Sequence, residues 1–325
     1  MNKKNCLVIG SGSIGERHAK NLVSFFNRKV FVLSRSPNQE FRDEFLNKSE
    51  YVSKISQNDL INFRDFEMLV LATPSSIRSK VLEPLKGIKI KVIYTEVPAA
   101  TDFDSWYRLK ELSSLIGARL YPGYNMRFHP GILKLQDLKK SHFLSLRGLF
   151  GEFLPDLHKW EDYKFRYEAV KKLGGGPLLT SQHEIDIAIL LMGDVDNVSC
   201  LMRNTLLDIE APDHVILNLF HKNGSISNLD LNFFYKQYVR RLELSTEEEI
   251  IKYEPFNDGL KIGKREKISF KDFDFNKTYI DSVNDALSNK FDFAPSLESI
   301  DHLMKVSDAC LKSSENNGKI IKVYK

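Results

Sequence analysis

Cysteine is scarce. Cys6, Cys200 and Cys310 are the only three in 325 residues. An odd, widely spaced set offers neither a disulfide framework nor a metal-ligand spacing, so the sequence predicts a reducing, cytoplasmic setting and no metal site. A large charge of one sign is lacking too. Lys and Arg number 47 against 43 Asp and Glu, which leaves +4, and the basic residues are scattered. That excludes the basic footprint of a nucleic-acid binder. No apolar run approaches the ~20 residues that span a bilayer. The longest, around Ile185 to Met192, contains Asp186 and reads as a buried helix. The opening MNKKNCLVIG has a basic tip but too short an apolar run for a signal peptide. What is present is ordinary globular composition, 42% hydrophobic and 28% charged, in a length that suits one large or two ordinary domains.

The first third alternates in texture. Apolar strands are predicted at Asn5–Ile9, Val30–Ser34, Met68–Thr73, Lys91–Thr95 and Ala118–Tyr121. Helices are predicted between them at Ile14–Phe26, Phe41–Leu46, Ser76–Leu85 and Phe103–Leu115. Strands that are apolar throughout and alternate with helices predict a parallel sheet covered on both faces, a doubly wound α/β domain over residues 1–121. After Tyr121-Pro122-Gly123 the texture changes. A helix at Pro130–Lys139 is followed by longer strands, with Lys222-Asn223-Gly224 as a hairpin turn between two of them. One strong helix, Leu178–Met192, and two closing helices, Asp281–Leu287 and Leu297–Ser313, complete the pattern. Residues 122–325 therefore read as an α+β domain with an open-faced, mostly antiparallel sheet.

Gly10-Ser11-Gly12-Ser13-Ile14-Gly15 is a G-x-G-x-x-G placed between a strand and a helix. In that context the first glycine permits the turn, the second admits a pyrophosphate and the third lets helix pack on strand. The helix amino end then offers free N–H groups to the phosphates. The second strand ends in Ser34-Arg35, where an NAD site would carry an acid. A hydroxyl followed by a guanidinium suits a 2′-phosphate, so the sequence predicts NADP over NAD. Ala72-Thr73-Pro74 and Glu96-Val97-Pro98 end the next two strands. In open parallel sheets ligands lie beyond such strand ends, so both segments point at the cofactor. Glu96 reads as orienting it, Pro98 as fixing the exit of the chain beside it, and Arg78 as a surface residue.

These residues, with Tyr124-Asn125-Met126-Arg127-Phe128-His129-Pro130 and the run Gly174 to Asp186, resemble the Gfo/Idh/MocA oxidoreductases over essentially the whole chain. The segment Gly151–Gly176 is most similar to the bacterial surface-sugar biosynthesis branch. The resemblance implies hydride transfer between a nicotinamide and a sugar, cyclitol or nucleotide-sugar, and a homo-oligomer formed through the second domain's sheet. It also implies a catalytic Lys where this chain has Val97, and an Asp where it has Thr180.

With those two positions changed, His183 is the best remaining acid/base, because imidazole titrates near neutrality. The positive end of its helix would favour the neutral ring. Its alternative is a satisfied buried histidine. Tyr163 is a second proton-donor candidate, or an aromatic packing a loop. Arg127 reads either as a ligand for a substrate anion or as the partner of a buried acid. Asn125 suits a sugar hydroxyl or the nicotinamide amide. Trp160 suits stacking on a sugar face, and Thr180 lies beside it in the substrate set. Ser181 and Glu184 form S-x-x-E, a capping box. Two other readings follow from Val97 and Thr180: a non-catalytic NADP-binding scaffold of a sugar pathway, and cofactor-dependent elimination or glycoside cleavage.

Overall fold

The computed structural model describes residues 3–35, 37–138, 142–290 and 292–324. In chain order its strands are β1 (Asn5–Ile9), β2 (Lys29–Leu33), β3 (Val52–Ile55), β4 (Asp65–Leu71), β5 (Lys89–Thr95), β6 (Arg119–Pro122), β7 (Ser145–Phe153), β8 (Val195–Arg203), β9 (His214–His221), β10 (Ile226–Asn232), β11 (Phe234–Ser245), β12 (Ile250–Glu254), β13 (Gly259–Ile262), β14 (Glu266–Ile268) and β15 (Ile321–Lys322). Its α-helices are α1 (Ser13–Ser24), α2 (Glu44–Lys48), α3 (Arg78–Leu82), α4 (Phe103–Ile116), α5 (Pro130–Leu138), α6 (Leu154–Leu157), α7 (Pro177–Thr180), α8 (Gln182–Met192), α9 (Asn276–Ser288) and α10 (Leu297–Glu315). The predicted end of α5 at Lys139 lies outside the described residues. Among the described residues no helix is long and apolar enough to cross a membrane.

The chain divides into two compact units. The first contains residues 1–100, 104–125 and 276–296. Its sheet runs β3-β2-β1-β4-β5-β6 and is parallel at every pairing. The central strands are buried on both faces, as in Cys6, Leu7 and Val8 of β1 and Leu69, Val70 and Leu71 of β4. That is why these strands lack alternation. The boundary expected at residue 122 omits α9, which belongs to this unit. Tyr94 and Ser282 exchange a hydrogen bond of 3.0 Å, and the Tyr121 hydroxyl donates to Asp285 at 2.8 Å. Val283 and Ala286 complete the same core as Met68 and Val92. A helix so far along the chain carries no local mark of which sheet it covers.

The second unit contains residues 101–103, 126–275 and 297–325. Its sheet runs β14-β13-β12-β11-β7-β10-β9-β8-β15. The pairing of β7 with β10 is parallel, and the rest of the sheet is antiparallel. In β9, Val215, Leu217, Leu219 and His221 are buried in strict alternation, the mark of a sheet with one covered face. The register carries that face across β7, where Phe150 lies opposite Leu231 of β10 and Arg240 of β11.

The helix expected at Leu178–Met192 is broken in two. Ser181, with φ −102° and ψ 28°, separates α7 from α8. Thr180 Oγ1 donates to the Gly176 carbonyl at 3.0 Å, a back-bond of the kind that competes with a continuing helix. The expected capping box is absent, because the Ser181 side chain makes no cap bond. Glu184 turns its carboxylate instead to Arg240.

Candidate functional site

The first unit presents a ready-made turn for a dinucleotide. Gly10 has φ 112°, and a Cβ there would lie 2.6 Å from the Ala72 carbonyl oxygen. A Cβ on Gly15 would lie 2.0 Å from the Gly10 carbonyl oxygen. Both glycines are thus required by the protein's own backbone. Gly12 differs: nothing lies within 4 Å of its Cβ position. It is the N-cap of α1 and makes no side-chain cap bond, so Ser13, Ile14 and their neighbours face the opening with helix amino-end N–H groups. The residues present fit the pyrophosphate of a dinucleotide. At the end of β2, the hydroxyls of Ser34 and Ser11 are 3.0 Å apart, and Arg35 is exposed.

The ends of β4 and β5 are tied together by a residue that the sequence reading left on the surface. Arg78 is 4% exposed. Its guanidinium donates to Thr95 Oγ1 at 3.1 Å, to the Thr73 carbonyl at 3.0 Å and to the carbonyls of Glu96 and Pro98. A buried guanidinium fixes the path of both strand ends. Pro98 follows a cis peptide bond. Glu96 is buried, and its Oε1 lies 2.5 Å from Nε2 of His18, a fully buried residue of α1. His18 was not singled out in the sequence, where it is one polar residue in an amphipathic helix. Val97, at the position of the resembled family's Lys, is half-buried. Thr73 Oγ1 and Ser75 Oγ are buried without hydrogen-bond partners, two polar atoms at the strand end where a ligand would lie. Asn125 Nδ2 donates to Thr278 Oγ1 at 2.7 Å, with both residues buried.

The second unit brings together a different set. Arg127 pairs in a bidentate manner with Asp186, at 2.8 and 2.6 Å. Its alternatives are thereby weighed: Nε and Nη2 already serve a buried acid. His183 follows at the start of α8 and is half-buried. Burial first, and then the charge of Arg240, lower its pKa to about 3. The ring is therefore neutral, as the helix-end argument expects, but for other dominant reasons. Arg240 Nε lies 2.8 Å from Glu184 Oε1. Burial opposes the charge of Arg240, but Glu184, Tyr238 and Tyr253 outweigh it and raise its pKa.

Beyond these, Glu152 of β7 lies two residues past Phe150 on the covered face. Burial, reinforced by Glu168 and opposed by Arg240 and Arg166, pushes its carboxyl up to about 7. Arg166 and Glu168 pair at 2.5 Å and are almost fully buried. Their turn crosses the glycine run directly: a Cβ on Gly175 would lie 2.5 Å from the Glu168 carbonyl oxygen and 2.6 Å from that of Tyr167. Glu152, Arg166 and Glu168 were missed in the sequence because nothing local marks a strand carboxylate or a loop ion pair as buried. Tyr163 packs against the cluster of Leu154, Ala169, Leu207 and Phe233, its packing alternative. Trp160 is 60% exposed, with its ring 4.6 Å from that of His158. Thr180 spends its hydroxyl on Gly176.

Residues 1–104 match a family model described as NAD(P)-binding. No curated protein matches the sequence. Among solved structures, levoglucosan dehydrogenase in complex with NADH is similar with a TM-score of 0.81 at 14% identity, over 100% of both chains. The myo-inositol 2-dehydrogenase from Lactobacillus plantarum has a TM-score of 0.78 at 18% identity, over 99% of this chain and 100% of that one. The WlbA dehydrogenase from Bordetella pertussis, in complex with NADH and UDP-GlcNAcA, has a TM-score of 0.77 at 18% identity over 100% of both. The shared feature is the fold, a parallel Rossmann sheet and a mixed, mostly antiparallel second sheet.

Proposed function

We propose that the chain is an NAD(P)-dependent oxidoreductase acting on a hydroxyl or keto group of a sugar or nucleotide-sugar. The observation that carries this reading is the unequal packing of the fingerprint: Gly10 and Gly15 are closed by backbone, while Gly12 opens on free space at the head of α1. The NAD(P)-binding match over the same segment supports it. The sugar assignment draws on the dehydrogenases of like fold, whose own ligands are L-sorbose in one complex and UDP-GlcNAcA in another. We assign NADP over NAD on Ser34 and the exposed Arg35, which offer a 2′-phosphate a hydroxyl and a guanidinium.

When bound, the nicotinamide supplies hydride acceptance or donation. The protein's own residues do the rest. Gly12, Ser13 and Ile14 seat the pyrophosphate, with Thr73, Glu96 and the chain around Pro98 bordering the same strand ends. His183, held neutral, offers a substrate oxygen a hydrogen bond. With a pKa of about 3 it is a weak base at neutral pH, where general bases work best near the ambient value. Asn125, Arg127, Trp160, Tyr163 and Thr180 remain the substrate-side candidates. The uncovered face of the second sheet carries exposed Leu201 and Ile226, which supports self-association through that sheet.

The test is calorimetric titration with NADPH and NADH, followed by absorbance with a panel of keto-sugars and nucleotide-sugars. The expected result is tighter binding of NADPH, a preference reduced about tenfold in Arg35→Ala, and turnover that falls in His183→Ala. Absence of binding by either cofactor overturns the proposal. A second reading, an NADP-binding protein without turnover, is favoured by Val97 and by the occupied hydroxyl of Thr180. Cofactor binding with no redox change across the panel supports it over the first.

A further inference from the structure

The polar groups of the second unit are not all satisfied. Arg166 and Glu168 are 7% and 6% exposed, yet Arg166 Nη1 and Glu168 Oε2 have no hydrogen-bond partner. Burial without partners is costly for a polar group and more so for a charged one, so a ligand is a natural partner. The half-buried Glu152 carboxyl lies in the field of three charges, those of Glu168, Arg240 and Arg166. Glu152 comes from the end of β7, and Arg166 and Glu168 from the loop that follows it. Glu152 shares the covered face of β7 with Phe150, whose ring meets Tyr238 edge-on at 5.8 Å. The Arg166–Glu168 turn is laid against Gly175, just ahead of α7 and of α8, which carries His183 and Glu184.

We propose that Glu152, Arg166 and Glu168 form a subsite that grips two neighbouring hydroxyls of a neutral polyol ring. The proposal rests on the sugar-oxidoreductase reading and assigns residues within it. The chemistry selects the ligand class. A hydroxyl donates and accepts at once, so a vicinal diol can receive from Arg166 Nη1 while donating to Glu168 Oε2 and Glu152. An anion would meet two carboxylates. A cation would meet two guanidiniums, Arg166 and Arg240. The groups facing Glu152 are Glu168 and Arg166 from the loop and Arg240 and Tyr238 from β11. Because its carboxyl is pushed up to about 7, diol affinity rises as pH passes upward through that value, when the carboxylate accepts from its hydroxyl as an anion.

The experiment is saturation-transfer NMR from the full chain, with NADPH present, to myo-inositol, methyl glucoside and cyclohexanol, with affinities from titration. The two polyols are expected to bind and cyclohexanol, which has one hydroxyl, is not. Glu152→Ala and Arg166→Lys should weaken polyol binding about tenfold. In Glu152→Gln, an isosteric change that keeps the fold, the rise in affinity between about pH 6 and 8 should vanish. Polyol binding that is unchanged in all three variants overturns the subsite. So does an absence of polyol binding while NADPH still binds, and that result leaves the cofactor reading standing. Loss of NADPH binding with polyol binding intact breaks the oxidoreductase reading instead.

Discussion

The turn after β1 and the cluster behind α8 manage polar groups in opposite ways. Around the first, side chains are committed to one another: Arg78 spends its guanidinium on Thr95 and on carbonyls of both strand ends, and Glu96 meets His18. What stays open there is the backbone at the head of α1, by Gly12, and the hydroxyls of Thr73 and Ser75. Around the second, backbone is committed and the side chains of Arg166 and Glu168 are left with unfilled valence. A dinucleotide pyrophosphate is a constant object that main-chain N–H groups can recognise. A polyol presents hydroxyls in a pattern that only particular side chains match. The comparison assigns the shared part of a reaction to the backbone and the variable part to side chains.

The sharpest way to break this contrast is Gly15→Ala. The new methyl meets the Gly10 carbonyl carbon and oxygen, so stability should fall by about 3 kcal/mol or more, with cofactor binding lost; denaturant melts and NADPH titration check both. Asp186→Ala attacks the other unit. It removes the carboxylate that faces the buried Arg127 guanidinium, and the urea midpoint should drop by the equivalent of about 3–5 kcal/mol. Gly12→Ala separates structure from ligand. Its Cβ enters open space and costs the fold less than about 0.5 kcal/mol, while NADPH affinity falls about tenfold.

A further effect is expected on pH dependence. Glu152 is held near 7 against an ordinary value of 4.5. Between those values the folded protein binds the proton that the unfolded chain releases. That contribution is full below about 4.5 and is lost as pH rises through about 7. Wild type should therefore lose stability relative to Glu152→Gln as pH climbs through that window, measured by urea melts at each pH. His183 acts with the opposite sign. Its pKa is depressed to about 3, so its contribution is present above the usual 6.5 and is lost as pH falls toward about 3.

The fold was legible where one period or one motif dominates. β1 stands where its apolar pattern puts it, β2, β5 and β6 stand close to where theirs do, and the glycine fingerprint opens α1. β3, β13 and β14 were passed over: they are short, and β14 is exposed or half-buried throughout, which leaves little pattern to read. The break at Ser181 was hidden because the residues on both sides are apolar and helix-compatible. Arg78 looked like a surface residue because its acceptors, the carbonyls of Glu96, Pro98 and Ala99, belong to a different loop. Membership of α9 in the first unit likewise depends on Tyr94 and Tyr121, far away in sequence. The site was legible on its backbone side and largely silent on its side-chain side.

Gly175 has one more consequence. The loop that carries Arg166 and Glu168 is fastened to the second unit where two carbonyls cross a residue with no side chain. Ala169 of the same loop packs into the cluster of Leu154, Leu207 and Phe233, a second anchor. The polar side chains displayed between these anchors are the replaceable part: they can be rewritten to suit another ring of hydroxyls, provided the crossing stays bare.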